Sequence, residues 1–256
     1  QAIYYSLFHS ISAFCNAGFS LWSNNLAGFV GSPWVIFSFS FLIILGGLGF
    51  AVLIDIYHYF FSSRRVRKLA LHSKIVLSTT AILIVTGFLG LYIGEYNNSM
   101  KGFSVAGRVL SSWFQSVTAR TAGFNTIKIG SYSSASVLLT VLLMFIGASP
   151  GSTGGGIKTT TFSTLMLSVL SMLTGKRDLV VFKRKISLAN AREATTLATL
   201  ALVIILTIIF ILMLIEPFPF EKILFEAFSA FGTVGLSLGI TSQLSYAGKL
   251  LITLLM

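Results

Sequence analysis

Three short stretches of the chain are versions of one another: FHSISAFCNAGFS (Phe8–Ser20), FQSVTARTAGFN (Phe114–Asn125) and FEAFSAFGTVGLS (Phe225–Ser237). The first and third align without a gap, and the second is one residue shorter before its glycine. The glycines Gly18, Gly123 and Gly235 are separated by 105 and 112 residues. Each follows an apolar stretch of helical length, about Ile3–Phe14, Val105–Ala119 and Phe220–Phe231. Twelve residues of helix reach about 18 Å, too short to cross a hydrocarbon core of about 30 Å. Such a segment must enter a membrane and return on the same side. Irregular backbone at that depth is tolerated only where protein or water shields it from lipid. The repeat therefore predicts several copies of one loop around a shared, water-lined axis.

The long segments between the repeats belong in a membrane because charge is missing from them. Only 10% of residues are charged and 55% are hydrophobic, with a mean hydropathy of +0.89. Pro33–Ile54, Ile75–Gly94 and Ala194–Ile215 carry no charged side chain over 22, 20 and 22 residues, each enough to span. A further uncharged run, Ile129–Ile157, continues past Lys158 through Thr159–Gly175, and Leu250–Met256 begins another. These predict four full spans, one of them interrupted, and one partial span.

A net charge of +11 could suggest nucleic-acid binding, but the distribution of charge argues against it. Arg64, Arg65, Arg67, Lys68 and Lys74 fall in one loop between spans, and Lys176, Arg177, Lys183, Arg184, Lys185 and Arg192 in another. Together they hold 11 of the 18 basic residues, against Asp178 and Glu193. The alternate loops carry Glu95, Glu216, Glu221 and Glu226. Basic loops stay in the cytoplasm, so residues 64–74 and 176–192 are expected to face inward and the glycine loops to enter from outside.

Enzyme chemistry finds little to stand on. Cys15 is the only cysteine, so an intrachain disulfide is excluded. His9, His58 and His72 make no metal-ligand spacing. The run GASPGSTGGGIKTTTF superficially resembles a phosphate loop, but Ile157 separates its glycines from Lys158 and spanning segments flank it.

Glycine has a specific use in such loops. A strand whose carbonyls all point inward needs backbone angles that side chains resist, and glycine reaches positive φ without a Cβ penalty. Rings of carbonyls can replace the hydration shell of potassium. The residues before each glycine, Asn16-Ala17, Thr121-Ala122 and Thr233-Val234, are small or bear a short oxygen-containing side chain, which suits a narrow lining.

NAGFS, TARTAGFNT, GASPGSTGGGIKTTTF and GTVGLSLGIT together resemble the Trk/Ktr/HKT family of potassium transporters, most closely the membrane subunit of its bacterial Ktr branch. The resemblance implies an all-α integral membrane fold with four helix–pore-loop–helix repeats in a pseudo-fourfold arrangement, three of whose loops are present. Gly18, Gly123 and Gly235 would be the filter glycines of the second, third and fourth repeats. The implied organisation is a second repeat over residues 1–68, a third over 69–178 with a broken inner helix, and a fourth over 179–256 with its inner helix truncated. A first repeat is absent, so the chain is expected to be a fragment of a longer protein. Cys15 stands where the family often has asparagine.

The segment Gly147–Gly156 interrupts the third repeat. Pro150 forbids regular helix, and Gly151, Gly154, Gly155 and Gly156 add backbone freedom. The resemblance implies that Gly147, Ser149, Pro150, Gly151, Gly154, Gly155, Gly156 and Lys158 form an intramembrane gating loop. Arg120 is expected either to point behind the filter and pair with an acid such as Glu226 or to snorkel unpaired to the outer surface, and Lys158 to be either an electrostatic element of the gate or a snorkelling helix-end lysine. The Gly46-Gly47-Leu48-Gly49 cluster is expected only to let helices pack closely.

The expected function is inward potassium transport across the cytoplasmic membrane, with sodium coupling left open and no catalytic residues. Backbone carbonyls of Asn16, Ala17, Gly18, Thr121, Ala122, Gly123, Thr233, Val234 and Gly235 would hold the ion. By resemblance, the partners are a second copy of the subunit and a cytosolic nucleotide-binding ring. The alternative is a broken-helix carrier for another solute that uses the Gly147–Gly156 break as its substrate site. A membrane enzyme is the more distant reading.

Overall fold

The computed structural model describes residues 1–61, 68–175 and 179–256. Arg64, Arg65 and Arg67 of the first basic loop, and Lys176, Arg177 and Asp178 of the second, lie outside those residues. The chain opens with a short helix, α1 (Ala2–Phe14), followed by the first glycine loop. Helix α2 (Pro33–Leu48) starts with Pro33 in its first turn, where a missing N–H costs nothing.

The uncharged run Pro33–Ile54 was expected to be one span. Instead α2 stops at Gly49 (φ 87°), and α3 (Phe50–Phe61) leaves at a bend of 104°. Hydrogen bonding explains the break. In a continuous helix the Gly46 and Gly47 carbonyls would accept from Phe50 and Ala51. Here they accept from the backbone N–H groups of Thr153 (3.3 Å) and Ser149 (3.0 Å), while Phe50 N–H donates to the Gly151 carbonyl at 3.1 Å.

The second unit has a long helix, α4 (Leu71–Glu95), a short one, α5 (Val105–Thr118), the second glycine loop, and then α6 (Ser134–Phe145) and α7 (Thr159–Leu173) on either side of the glycine-rich break. A hairpin of β1 (Leu179–Val181) and β2 (Arg184–Ile186) follows, with Leu179 paired to Ile186. Its buried ends pack on Ile75 and Leu71 of α4. This small sheet has no counterpart in the sequence reading. The third unit comprises α8 (Leu188–Ile215), α9 (Phe220–Phe231), the third glycine loop and α10 (Tyr246–Leu255).

Among the described residues, α4 and α8 are each long and apolar enough to cross a membrane. Only 33% of the most apolar window of α8 is buried. Val203, Phe210 and Leu214 on its outer face are exposed, which suits lipid rather than water. The short helices are enclosed instead. Phe114 of α5 is buried with Ile36 and Phe39 of α2 and Ile84 of α4. Ile223 and Phe225 of α9 pack with Met144 of α6 and with Ile205 and Leu212 of α8.

The same clamp closes the second and third units. Glu95 ends α4, is fully buried, and accepts from Ser133 N–H (2.8 Å) and the Ser133 hydroxyl (2.9 Å). Ser133 caps the N-terminus of α6. Glu216, directly after α8, accepts from Ser245 N–H (3.0 Å) and the Ser245 hydroxyl (2.6 Å), and Ser245 caps α10. A carboxylate beside a helix N-terminus meets unpaired N–H groups and the positive end of the helix dipole. The acid thus fixes where the last helix of a unit starts relative to its long helix. Replacing Glu95 by Ala strands a buried donor, so it should lower the stability of the full-length protein in detergent by about 1–3 kcal/mol. Thermal unfolding monitored by size-exclusion fluorescence reads this, with Glu95→Gln closer to wild type.

Candidate functional site

Each short helix runs directly into its glycine loop. The C-caps of α1, α5 and α9 are Cys15, Ala119 and Gly232. The next residues take the same backbone in all three units: a left-handed residue, an intervening residue, then a left-handed glycine. Asn16 (φ 52°) and Gly18 (73°), Thr121 (78°) and Gly123 (76°), and Thr233 (50°) and Gly235 (82°) form the set. Positive φ is rare for a β-branched residue such as threonine and costs about 1–2 kcal/mol. Alternating the hand of the backbone turns successive carbonyls to one side, which a regular strand does not do.

The strained turn is held from behind by one repeated pair of bonds. Ala17, Ala122 and Val234 donate their N–H to the carbonyls of Ser12 (2.9 Å), Thr118 (3.0 Å) and Ser229 (2.8 Å). The hydroxyls of Ser12, Thr118 and Ser229 then donate to the carbonyls of Phe19 (2.9 Å), Phe124 (2.7 Å) and Leu236 (2.6 Å). These hydroxyls went unread in the sequence, although they occupy one aligned position of the repeat.

The three loops meet. A Cβ on Gly18 would lie 2.7 Å from the Ala122 carbonyl oxygen and 3.1 Å from the Gly123 Cα, and one on Gly123 would strike the Val234 carbonyl oxygen. A Cβ on Gly235 would lie 3.8 Å from the Gly123 Cα. Gly123 therefore sits in the middle of an arc, buried, with Gly18 and Gly235 more open on its two sides. Thr121, Ala122 and Val234 are buried, Asn16 is 6% exposed, and Ala17 is exposed. The negative ends of three helix dipoles point at this arc, an arrangement that favours a cation.

The glycine-rich break lies under the arc and touches all three loops. Gly155 N–H donates to the Thr233 hydroxyl at 3.0 Å. A Cβ on Gly154 would run into the Thr121 side chain, whose buried hydroxyl has no hydrogen-bond partner among the described residues. The Thr153 hydroxyl lies 3.4 Å from the Phe14 carbonyl that it donates to. The neck of the break is closed by Gly147 N–H to the Ile157 carbonyl (3.0 Å), Ile157 N–H to the Phe145 carbonyl (3.1 Å) and Ala148 N–H to the Gly155 carbonyl (3.2 Å). Ser149 is fully buried, and its hydroxyl accepts from Thr159 at 3.0 Å. Pro150 and Gly151 face the α2–α3 bend: a Cβ on Gly49 would lie 2.5 Å from the Pro150 carbonyl oxygen. Gly46, Gly47 and Gly49, read from sequence as packing glycines alone, are therefore part of this site.

The pairing expected for Arg120 is not formed. Arg120 makes no pair with Glu226. The residue is 7% exposed, and its guanidinium donates through Nη2 to the Gly147 carbonyl at 3.3 Å. Glu226 accepts from the hydroxyls of Ser237 and Thr241. Arg120 follows the C-terminal end of α5, beside the break, whereas Glu226 lies within α9 and faces the chain that leaves its glycine loop. Lys158 folds back over the break and donates through Nζ to the Gly154 carbonyl at 2.7 Å.

The sequence profile of the family described as TrkH, cation transport protein, matches residues 1–256. The Ktr system potassium uptake protein B of Bacillus subtilis (strain 168) is 43% identical over 258 residues, covering 100% of this chain and 57% of the relative. The potassium/sodium uptake protein NtpJ of Enterococcus hirae is 42% identical over 262 residues, covering 100% and 57%. The chain thus spans rather more than half the length of the curated relatives it matches. The crystal structure of the potassium transporter TrkH from Vibrio parahaemolyticus superposes with a TM-score of 0.73 at 18% identity, over 98% of this chain and 55% of that one, which speaks for the fold alone. A membrane-embedded helical chain of repeated units, matched along its whole length, belongs to the TrkH family of cation transport proteins.

Proposed function

We propose that the chain is the greater part of a subunit that takes up potassium across the cytoplasmic membrane through a filter built from its three glycine loops and a further one. The observation that carries this reading is the arc itself: three loops of the same left-handed alternation, in contact through Gly18, Gly123 and Gly235. In this reading the carbonyls of Asn16, Ala17 and Gly18, of Thr121, Ala122 and Gly123, and of Thr233, Val234 and Gly235 replace the water around a monovalent cation. The Thr121 hydroxyl at the base of the arc, without a hydrogen-bond partner among the described residues, offers one more oxygen. Sodium is the second ion to consider, since the Enterococcus relative is named for uptake of both.

The residues from Gly147 to Lys158 act as the gate, because they lie across the inner end of the arc and bond to it. Their contact with all three loops counts against a carrier that uses the break as an open substrate site. The basic loops face the cytoplasm, and the hairpin there presents the exposed Lys183 and Arg184. We place the contacts of a cytosolic nucleotide-binding partner on that face, and take the working unit to be a dimer. The protein transports rather than catalyses.

The full-length protein should restore growth at low potassium to cells lacking their own uptake systems. Gly123→Ala should cut that uptake by at least about tenfold, since the left-handed strain alone costs about 1–2 kcal/mol and the methyl meets the Val234 carbonyl. A Gly123→Ala protein that supports growth as wild type does, at equal membrane level, would sink the filter assignment. Deleting Ser149–Gly156 from the full-length protein should raise cation flux measured with a rubidium tracer. Unchanged flux and unchanged regulation would remove the gate.

A further inference from the structure

The repeat places one polar side chain at the same position of all three short helices: His9 in FHS, Gln115 in FQS and Glu226 in FEA. An amphipathic helix at membrane depth has no need of polarity on its buried face, yet these residues are 2%, 2% and 5% exposed. None faces another charge among the described residues. Each turns instead toward the chain just after its glycine. His9 Nδ1 lies 2.7 Å from the Tyr5 carbonyl, its natural acceptor, which leaves Nε2 to accept from Leu21 N–H at 3.2 Å, with the Ser20 hydroxyl at 3.3 Å. Gln115 Nε2 donates to the Thr126 hydroxyl at 3.3 Å. Glu226 accepts from the Ser237 hydroxyl through one oxygen and from the Thr241 hydroxyl, at 2.9 Å, through the other.

Three different chemistries thus meet one demand, a hydroxyl two or three residues beyond the glycine. We propose that His9, Gln115 and Glu226 are positioning residues that set the width of the cation path by bracing the outer end of each glycine loop against its own short helix. This rests on the filter reading above. The Ser12, Thr118 and Ser229 bonds already tie the residue before and the residue after each glycine, so the brace adds a hold one or two residues further out, where the loop would otherwise be free. A strand held at one end can widen toward its free end; held at both, it keeps its carbonyls at one distance from the axis. Discrimination between cations of different radius depends on that distance and on how rigidly it is kept.

The brace depends on hydrogen bonding and not on charge, because Gln115 performs it with a neutral amide. Glu226→Gln should therefore behave as wild type. Glu226→Ala and Gln115→Leu should each raise the KM for potassium and reduce the preference for potassium over sodium by about tenfold, with a smaller change in maximal rate. Adding Ser237→Ala to Glu226→Ala should cost little more, since the bond is already gone. The measurement is tracer uptake of both ions by the full-length protein in cells lacking their own uptake systems, corrected for membrane level. Unchanged discrimination in both Glu226→Ala and Gln115→Leu overturns the brace, as does an equal loss for both ions that follows membrane level, which marks residues needed only for folding. Glu226→Gln losing discrimination as Glu226→Ala does would show that charge acts and the brace does not. A wild-type protein that moves no monovalent cation overturns the transport reading and the brace together, so the two failures are told apart by the wild-type arm.

Discussion

The close approach of three glycine loops, Gly18 against Ala122 and Gly123, and Gly123 against Val234, is the constraint on which the rest of the structure depends. Backbones that come this near leave no room for a side chain at the contact. Two residues before each glycine the loops must also hold a left-handed conformation that asparagine tolerates and threonine resists. Strain of that kind persists only where the surroundings over-determine it. Here the surroundings are the last turns of α1, α5 and α9, each giving one carbonyl and one hydroxyl to its loop. The short helices are therefore the buttress of the loops, and their own burial between α2, α4, α6 and α8 makes the buttress stiff.

A second constraint is the accounting of backbone groups in a region without water. Two helices are interrupted at the same depth, α2 after Leu48 and α6 after Phe145. Either interruption alone would leave carbonyls and amides unpaired at a cost of several kcal/mol each. Together they satisfy one another: Ser149 and Thr153 donate to Gly47 and Gly46, and Phe50 donates to Gly151. The bend at Gly49 and the glycine-rich break are in this sense one feature with two chains, and neither helix could be straight while the other is broken.

Much of this was legible in the residues. The repeat located the three loops, and charge-free runs located the long helices, because both signals are local and the membrane enforces them strictly. Pro150 and its glycines announced their break for the same reason. The break at Gly49 was not announced, since a Gly-Gly-Leu-Gly run is compatible with a helix until a partner takes its carbonyls. That partner lies about a hundred residues away along the chain. The partner of Arg120 was misjudged because proximity to a filter suggested a carboxylate, whereas a buried guanidinium can be met by a backbone carbonyl exposed at a helix break. The acid clamps at Glu95 and Glu216 were visible only as outer-loop charge. Their meaning needs Ser133 and Ser245, which the sequence does not place beside them. The hydroxyls and polar side chains behind the loops were, by contrast, recoverable from the aligned repeat, where they recur in register.

In the proposed reading, the pattern of bonds around the break decides how it can move. Its neck is tied by four backbone bonds between the chain leaving α6 and the chain entering α7, the three above and Thr159 N–H to the Ala148 carbonyl (3.3 Å), with Arg120 bound to Gly147 beside them. Its far side meets the loops through two hydrogen bonds, from Gly155 N–H to Thr233 and from Thr153 to Phe14, and through the contact of Gly154 with Thr121. A hydrogen bond contributes about 0.5–1.5 kcal/mol net, so parting the far side costs on the order of 1–3 kcal/mol. That is the range of free energy by which a regulator bound at a distant face typically shifts an equilibrium. The neck bonds add to this only if the break unfolds. A swing of the closed loop away from the arc that leaves the neck intact and carries the α2–α3 bend with it, through the bonds to Gly46, Gly47 and Gly151, is therefore the motion of lowest cost, and it would uncover the Thr121 and Thr233 hydroxyls at the base of the path together.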